Sequence, residues 1–481
     1  MPKYKFYYDE TEHSRLLNLK TITADEFYDG FMVAIVGWDE RREAGLERKY
    51  AGFEAQYRSP GSAELKSTVL GRRQFRYGFR SLNKPNARLV RDFLGLLGKD
   101  MLVYFCFSSK AECLIYRLFA SYQGTGGVNM DLMKYSLTKL VVQYRPREVV
   151  EAFYGSPGEL DGALRVFLEG RIERDKANPA LKHSEAEQCR AILAIMDGTQ
   201  PLDRMDWEYY VPLKGFAYYL SEHHEVEDYE LNIDREEKTA AAARELGFNA
   251  VSEVDSVDCF GVRAADMLAG ILGKLLKAIR AELSYQSKED EIKKNLFSDE
   301  WFDLDDARLG LYKRLRQILI CFDKCWYKTY AGVYSDDLVV LIALLNYLDG
   351  FENAEQLRAK AGSHAEAFNA FCCESLKQHF ERMEDETPRV GAARSPEALF
   401  RLRLRVTDEP IVYNVATVAL ADDGAPMVVV RESGGDVAYA LPDELAGWAA
   451  MLLAGGDVMD LLFPGYVQFQ IVDGRFCADI L

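Results

Sequence analysis

Four acidic residues stand where their carboxylates could meet in the folded chain: Asp9, Glu64, Asp234 and Asp266. Carboxylates that converge from strand ends and a helix can hold hard cations such as Mg²⁺ or Mn²⁺, which prefer oxygen ligands. Two such ions stabilise both the attacking and the leaving oxygen in phosphodiester cleavage, so this chemistry requires no side-chain nucleophile. The spacing therefore predicts a candidate metal site. Two simpler roles stay open, because Asp9 could cap a turn and Asp266 could face solvent.

Each acid is expected at a defined place in the secondary structure. The aromatic-rich strand Lys3–Glu10 ends close to Asp9, and a later strand, Tyr229–Asp234, also ends in a carboxylate. Glu64 precedes a new apolar segment, and Asp266 lies in the second turn of a predicted long helix. A carboxylate among the small and apolar residues of such a helix costs desolvation free energy unless it is paired or bound to metal. The strands and the helix are thus the elements that must position the site.

The hydrophobic pattern predicts an α/β protein in three parts. Residues 1–285 are expected to form a mixed-sheet domain with a helical insertion at about 111–228, residues 286–395 a helical segment, and residues 396–481 a small α+β domain. The other predicted strands are Phe31–Trp38, Met101–Phe107, Val254–Val257, Pro410–Leu420, Met427–Glu432 and a terminal hairpin over Tyr466–Leu481. The other predicted helices are Gly45–Tyr57, Glu236–Leu246, Asp306–Tyr330, Asp336–Leu348, His364–Met383 and Asp443–Leu453. Gly124–Gly127 is predicted as a loop and Glu384–Ser395 as a linker.

The most basic stretch of the chain runs from Arg72 to Arg91 and contains no acid. Its cations are Arg72, Arg73, Arg76, Arg80, Lys84, Arg88 and Arg91, and Phe75, Tyr77 and Phe79 lie among them. Cations beside exposed aromatic rings suit a phosphate backbone and stacked bases. The alternative is a segment whose aromatics face the core while its arginines face water. In so acidic a chain, the run without counter-charges favours nucleic-acid binding.

Composition narrows the class of protein. The chain has 481 residues and a formal net charge of −17, which argues against a protein that coats nucleic acid but allows a nucleic-acid enzyme with a local basic surface. The nine cysteines have neither disulfide nor zinc spacing and are predicted to be core thiols. We find no secretion signal and no apolar run long enough for a membrane helix. A soluble cytoplasmic protein without membrane contact is expected.

Three short motifs carry a family resemblance: Tyr8-Asp9-Glu10, Glu64-Leu65-Lys66 and the helical segment Arg263–Gly270. They resemble the bacterial domain-of-unknown-function 3800 family, which has an Asp-Glu motif near its start and a Gln-x-x-Asp motif on a late helix. The resemblance covers roughly residues 1–280 outside the helical insertion. It implies that the mixed-sheet domain has a ribonuclease H-like fold.

The same resemblance implies roles for individual residues. Asp9, Glu64, Asp234 and Asp266 would occupy the metal-binding acid positions of ribonuclease H-like nucleases, with Mg²⁺ or Mn²⁺ as cofactor. Lys66 would contact substrate phosphate, and the substrate-binding set would further include Arg72, Arg73, Arg76, Arg80 and Arg263. Arg263 stands where the family has glutamine. Whether this replacement changes substrate contacts or marks lost activity stays open.

Two functions follow as hypotheses. The leading one is a metal-dependent nuclease, a hydrolase that cleaves phosphodiester bonds of RNA or DNA by a two-metal-ion mechanism, with a role in bacterial anti-phage defence or a mobile element. The alternative is a catalytically inactive ribonuclease H-like scaffold within a larger complex. In either case the helical segment and the C-terminal domain suit a homodimer or a protein partner. The acids favour the enzyme, whereas the net charge and Arg263 favour the scaffold.

Overall fold

The computed structural model describes residues 3–11, 28–120, 129–197, 209–223, 226–248, 250–284, 295–384, 401–421, 425–433, 435–454, 462–472 and 474–481. The chain divides into two compact units. The first comprises Met1–Leu114, Val142–Tyr144 and Asp206–Lys377, and the second comprises Ile115–Val141, Arg145–Met205 and Gln378–Leu481. The predicted loop at 124–127 and the predicted linker after Glu384 lie outside the described residues.

The strands and helices are numbered in chain order. The strands are β1 (Lys3–Thr11), β2 (Gly30–Asp39), β3 (Arg76–Phe79), β4 (Leu102–Ser109), β5 (Asp228–Asp234), β6 (Val251–Val254), β7 (Thr329–Ala331), β8 (Ile411–Leu420), β9 (Pro426–Glu432), β10 (Gly435–Ala440), β11 (Gly465–Val472) and β12 (Arg475–Ile480). The helices are α1 (Glu43–Tyr57), α2 (Lys84–Leu96), α3 (Lys110–Leu118), α4 (Met130–Tyr144), α5 (Arg147–Gly155), α6 (Leu160–Asp175), α7 (Pro179–Met196), α8 (Tyr210–Glu222), α9 (Glu237–Glu245), α10 (Phe260–Leu283), α11 (Asp306–Arg316), α12 (Asp336–Asp349), α13 (Ala354–Arg358), α14 (His364–Glu384) and α15 (Ala446–Ala454).

A six-stranded mixed sheet organises the first unit, in the order β6-β5-β1-β2-β4-β7. β2 runs antiparallel to both of its neighbours, β1 and β4. The pairs β1/β5, β5/β6 and β4/β7 are parallel. Every strand except β2 therefore points the same way, and the carboxyl ends of β1 and β5 lie next to each other at one edge of the sheet.

Both faces of this sheet are buried, because side chains alternate along each strand and apolar residues occupy both sets of positions. On one face, Tyr7, Met32 and Phe105 belong to the same core as residues of α2, α10, α11 and α12. On the other face, Phe6 and Tyr8 pack with residues of α8 and α9. The middle of the first strand is aromatic because it is buried on both faces, and burial continues through Asp9 and Glu10.

The helix α10 approaches β1 unusually closely through its glycines. A Cβ atom at Gly261 would lie 2.3 Å from Cγ of Tyr7, and one at Gly273 would lie 3.0 Å from Cγ2 of Thr11. These contacts align the helix with the last residues of β1. Asp266 lies between the two glycines along the helix axis. The small residues that the sequence shows on this helix thus set the distance between helix and sheet.

Most predicted elements of the first unit are confirmed, and two differ. The predicted strand Val254–Val257 lies at Val251–Val254 instead. The predicted helix Asp306–Tyr330 stops at Cys321 after a π-helical turn, where Phe322 is extended and Asp323 adopts a left-handed backbone (φ 56°) before the chain enters β7. The helix α8, near the end of the predicted insertion, packs on the sheet with Tyr104 and is part of its core.

The helical segment predicted as a separate part contributes to the first unit. Leu311 of α11 and Leu341 of α12 lie in the same core as the sheet. Arg280 of α10 donates from Nε to Oδ2 of Asp337 at 3.0 Å, and the Asp337 side chain is fully buried. This segment therefore packs as part of the sheet domain as far as Lys377.

The second unit contains helices from between β4 and β5 together with the C-terminal residues. α6 and α7 are joined by Arg171, which pairs with Asp175 at 2.6 Å and with Glu185 at 2.7 Å. The C-terminal strands form an antiparallel sheet in the order β10-β9-β8-β11-β12, and α15 contributes to its core. The predicted terminal hairpin is confirmed, whereas β10 was not predicted.

Two further predictions concern membranes and thiols. None of the described helices is long and apolar enough to cross a membrane. The core-thiol prediction is correct for Cys106, Cys189 and Cys372 and wrong for Cys321 and Cys373, which are exposed. Helical spacing and adjacency to another cysteine did not reveal which side of the helix each thiol occupies.

Candidate metal centre at one edge of the sheet

Two of the four predicted acids are neighbours across parallel strands. Tyr8 of β1 is paired with Ile233 of β5 in the last pair of the parallel ladder, so Asp9 and Asp234 directly follow it on adjacent strands. Oδ1 of Asp9 accepts from the Glu10 backbone N–H at 2.8 Å. The strand ends thus bring together two carboxylates that are far apart in sequence.

Both of these side chains belong to the face of the sheet that α10 covers. Tyr7 and Thr11 contact α10, and Asp9 lies between them with the same parity along β1. Asp234 lies beside Asp9 in a parallel register and shares its face. The two strand-end acids are therefore on the same side as the helix that carries Asp266.

Asp266 is held by a residue that the sequence did not point to. Its Oδ2 accepts from the backbone N–H of Ser67 at 2.8 Å, and its Oδ1 accepts from Oγ of Ser67, also at 2.8 Å. Nζ of Lys274 donates to the Ser67 carbonyl at 3.2 Å. Asp266 is thus fixed against the segment that follows Lys66, and does not simply face solvent. The sequence signal for Ser67 is its place directly after the Glu-Leu-Lys motif.

Glu64 and Lys66 form an ion pair beside this contact. The distance from Nζ of Lys66 to Oε1 of Glu64 is 2.9 Å, and only 11% of the Glu64 side chain is exposed. The other carboxylate oxygen of Glu64, Oε2, is buried without a hydrogen-bond partner. The pKa of Lys66 is raised, first by the hydrogen bond to Glu64 and then by the negative charges of Glu64, Asp266 and Asp234, against partial burial that lowers it. The charge of Lys66 is therefore paired with Glu64 and is also stabilised by the negative charges of Asp266 and Asp234.

A second pair, Arg263 and Glu54, braces the segment that carries Glu64. Nε of Arg263 donates to Oε1 of Glu54 at 3.0 Å and Nη2 donates to Oε2 at 3.1 Å. The same Oε1 accepts from the backbone N–H of Leu65 at 3.1 Å, and Nη1 of Arg263 donates to the Val257 carbonyl at 2.8 Å. Planar two-point pairing of this kind is specific to arginine.

The predicted substrate contact of Arg263 stays a prediction. In this structure its guanidinium is occupied by Glu54 and by backbone carbonyls. Contact with substrate would require the two-point pairing of Arg263 with Glu54 to break. Sequence reasoning missed Glu54, which lies in a polar helix and carries no local sign of burial.

The acids fit a hard cation by their donor chemistry. All four offer carboxylate oxygens, and the unpartnered Oε2 of Glu64 is a buried acceptor that lacks a donor. Within the described residues, which include all four acids, no three His, Cys, Asp or Glu side chains are already grouped for metal binding. A cation here would require side chains to leave their present hydrogen bonds, beginning with that between Lys66 and Glu64.

The basic stretch, which begins at Arg72, comes shortly after Ser67 in the sequence, but its aromatic side chains are not exposed. Phe75 and Phe79 are buried in the core, so the prediction that they stack with bases is wrong and the alternative, core-facing aromatics, is correct. Tyr77 is partly buried, and the guanidinium of Arg76 lies 5.2 Å from the centre of its ring. Arg80 pairs with Asp303 at 2.8 Å.

The other cations of the stretch face outward. The exposed side chains are those of Arg72, Arg73, Arg76, Lys84, Arg88 and Arg91, although Arg91 pairs with Asp92 at 2.8 Å. Arg72 is five residues beyond Ser67, so the chain itself limits the separation of their Cα atoms to about 18 Å. A positively charged surface therefore begins close to the acidic site.

Comparison of the chain with protein-family models, with curated proteins and with solved structures found no match. The family resemblance of the three motifs therefore stays a prediction.

Proposed function

We propose that this protein is a divalent-metal-dependent nuclease with a ribonuclease H-like sheet domain. The observation that carries the proposal is the placement of Asp9 and Asp234 on adjacent parallel strand ends, on the face covered by the helix that carries Asp266. Glu64 and Lys66 border the same place through Ser67, which binds Asp266. Four separate parts of the chain thus contribute charged groups to one edge of the sheet.

The topology supports the fold part of the proposal. Three antiparallel strands in the order β4-β2-β1 are continued on the β1 side by two parallel strands, β5 and β6. A mixed sheet is what the family resemblance implies for this domain. Here β7 adds a sixth strand, which is the outermost strand of the sheet on the side of β4.

The chain's own residues would hold and orient the reacting groups. Asp9, Glu64, Asp234 and Asp266 would supply oxygen ligands to Mg²⁺ or Mn²⁺, which when bound stabilises the negative charge that develops during phosphodiester cleavage. Ser67 fixes Asp266, and the pair of Arg263 with Glu54 fixes the backbone at Leu65. These contacts hold Asp266, and the backbone next to Glu64, before any ligand binds.

The exposed cations would bind the nucleic-acid substrate through its backbone. Phe75 and Phe79 are unavailable for stacking, so contact along this stretch would be electrostatic and sequence-independent. Affinity should then fall steeply as salt is raised, because bound counterions are released from phosphates. RNA and DNA both carry the required charge.

The deciding experiment is cleavage of labelled single- and double-stranded RNA and DNA, with Mg²⁺ or Mn²⁺, by wild type and Asp9→Asn. Asp100→Asn is the matched control, since Asp100 is exposed and pairs with Arg42 at the surface. We expect wild type and Asp100→Asn to cut and Asp9→Asn to lose at least a hundredfold in rate, the scale of losing transition-state charge stabilisation. Equal cutting by Asp9→Asn would refute the assignment of the site.

Absence of cutting by all three proteins needs a second measurement. Mn²⁺ binding by calorimetry separates the two remaining cases. Binding that depends on Asp9 would indicate a metal site that requires an activating partner. Absence of Asp9-dependent binding would favour the inactive scaffold, whose helical and C-terminal parts would bind a protein partner or a second copy of the chain.

A further inference from the structure

The ammonium group of Lys66 lies where a cation is expected. Its Nζ is 2.9 Å from Oε1 of Glu64, and Ser67, the next residue, gives both of its donors to Asp266. The positive charge is therefore held next to the acids by its own position in the chain. In this structure the carboxylates already have a counter-ion, and it is covalently part of the protein.

Glu64 is an unusual partner for a surface lysine. Its side chain is 11% exposed and its Oε2 is buried without a donor, whereas the Lys66 side chain is 53% exposed. A buried carboxylate needs a positive partner, since burying an unpaired charge is costly. A half-exposed lysine, by contrast, loses little when its ammonium returns to water. Separation of the pair therefore costs Lys66 little free energy, whereas Glu64 would be left as a buried carboxylate without a positive partner.

These two properties suit an exchange of partners, and this inference rests on the proposed function. We propose that Lys66 neutralises Glu64 in the metal-free protein, is displaced when a divalent cation binds the acids, and then donates to a phosphate of the substrate. The flexible four-carbon stem of lysine allows this movement, whereas a planar arginine fork would hold its carboxylate in two-point geometry. Lys66 is accordingly a competitor of the metal and a ligand of the substrate.

The exchange predicts opposite effects of one substitution. Lys66→Met keeps the apolar stem and removes the charge. Mn²⁺ should then bind roughly fivefold more tightly, the size expected when one partly exposed ion-pair partner is lost. Binding of a labelled duplex in the presence of Ca²⁺ should weaken by a similar factor. The slope of its affinity against salt concentration should fall by the amount expected for about one lost phosphate contact. Lys99→Met, at an exposed lysine, is the matched control and should change neither affinity.

The measurements are Mn²⁺ calorimetry without nucleic acid and fluorescence anisotropy of the duplex, each on wild type, Asp9→Asn, Lys66→Met and Lys99→Met. Lys66→Gln is a second variant if the methionine protein does not fold. Unchanged or weaker Mn²⁺ binding by the charge-free variants would overturn the exchange. If Mn²⁺ binding depends on Asp9 but not on Lys66, only the exchange fails. If neither wild type nor variants bind Mn²⁺, the proposed function fails with it.

Discussion

The contact between Gly270 and Ser67 gives a sharp test of how the site is built. Gly270 lies in the interior of α10, where alanine in place of glycine normally stabilises a helix by about 1 kcal/mol. In this structure a Cβ atom at Gly270 would lie 2.2 Å from Cβ of Ser67 and 2.3 Å from its Oγ. Rotation of the Ser67 side chain cannot remove the first contact, because Cβ is fixed to the backbone. Gly270→Ala should therefore destabilise the protein, against the usual trend.

The magnitude follows from two terms. Overpacking at such a contact costs about 1–3 kcal/mol. A shift of the backbone at Ser67 also weakens its hydrogen bonds to the Asp266 carboxylate, and bonds to charged groups contribute about 1.5–3 kcal/mol each. Partial loss of these bonds, less the helix-propensity gain, gives a net loss of about 1–4 kcal/mol in the free energy of unfolding.

The assay is chemical denaturation of wild type, Gly270→Ala and a control, Gly52→Ala. Gly52 lies within α1, is exposed, and would have no atom within 4 Å of an added Cβ. The control should gain up to about 1 kcal/mol. Gly270→Ala should also weaken any Asp9-dependent Mn²⁺ binding, because Asp266 loses its fixed partner. Stabilisation of Gly270→Ala equal to that of Gly52→Ala would refute the close contact between α10 and the segment of Ser67.

Two further predictions concern buried charge and thiols. Arg280→Met should cost about 3–5 kcal/mol, since it leaves the fully buried Asp337 without its counter-charge; the double variant with Asp337→Leu should recover much of the loss in the same denaturation assay. Cys321 and Cys373 are exposed and should react rapidly with a disulfide reagent at pH 8. By contrast, burial raises the pKa of three thiols to about 12, and these should react only after unfolding: Cys106, Cys189 and Cys372. Fast reaction of all thiols in the native protein would contradict the fold.

Local pattern was sufficient for most of the secondary structure. Alternating or continuous apolar residues predicted β1, β2, β4 and β5, and the apolar run with small residues predicted α10. Where prediction failed, a distant contact decided the outcome. The helix after Asp306 ends at Cys321, and just beyond it Asp323 takes a left-handed backbone while its carboxylate accepts from the Tyr219 hydroxyl at 2.6 Å, more than a hundred residues away in sequence.

The basic stretch is a second example of a property that depends on distant contacts. Its charge was evident from the sequence, but whether its aromatic side chains face the core or solvent was not. Phe75 and Phe79 point into a core that includes Trp301 and Tyr312, which the chain reaches only after more than two hundred further residues. Periodicity within the stretch therefore could not distinguish stacking rings from core rings.

Residue type and a position at a strand end or on a helix are local properties, so the candidate residues could be named without a structure. Asp9, Asp234 and Asp266 lie on the strands and the helix that were predicted for them. Their partners could not be predicted, because strand register and the packing of α10 bring Ser67 to Asp266 and Glu54 to Arg263 across about two hundred residues. The tertiary structure also exposes the Lys66 charge to the negative charges of Asp266 and Asp234, since electrostatic interactions depend on distance in space and not on separation along the chain.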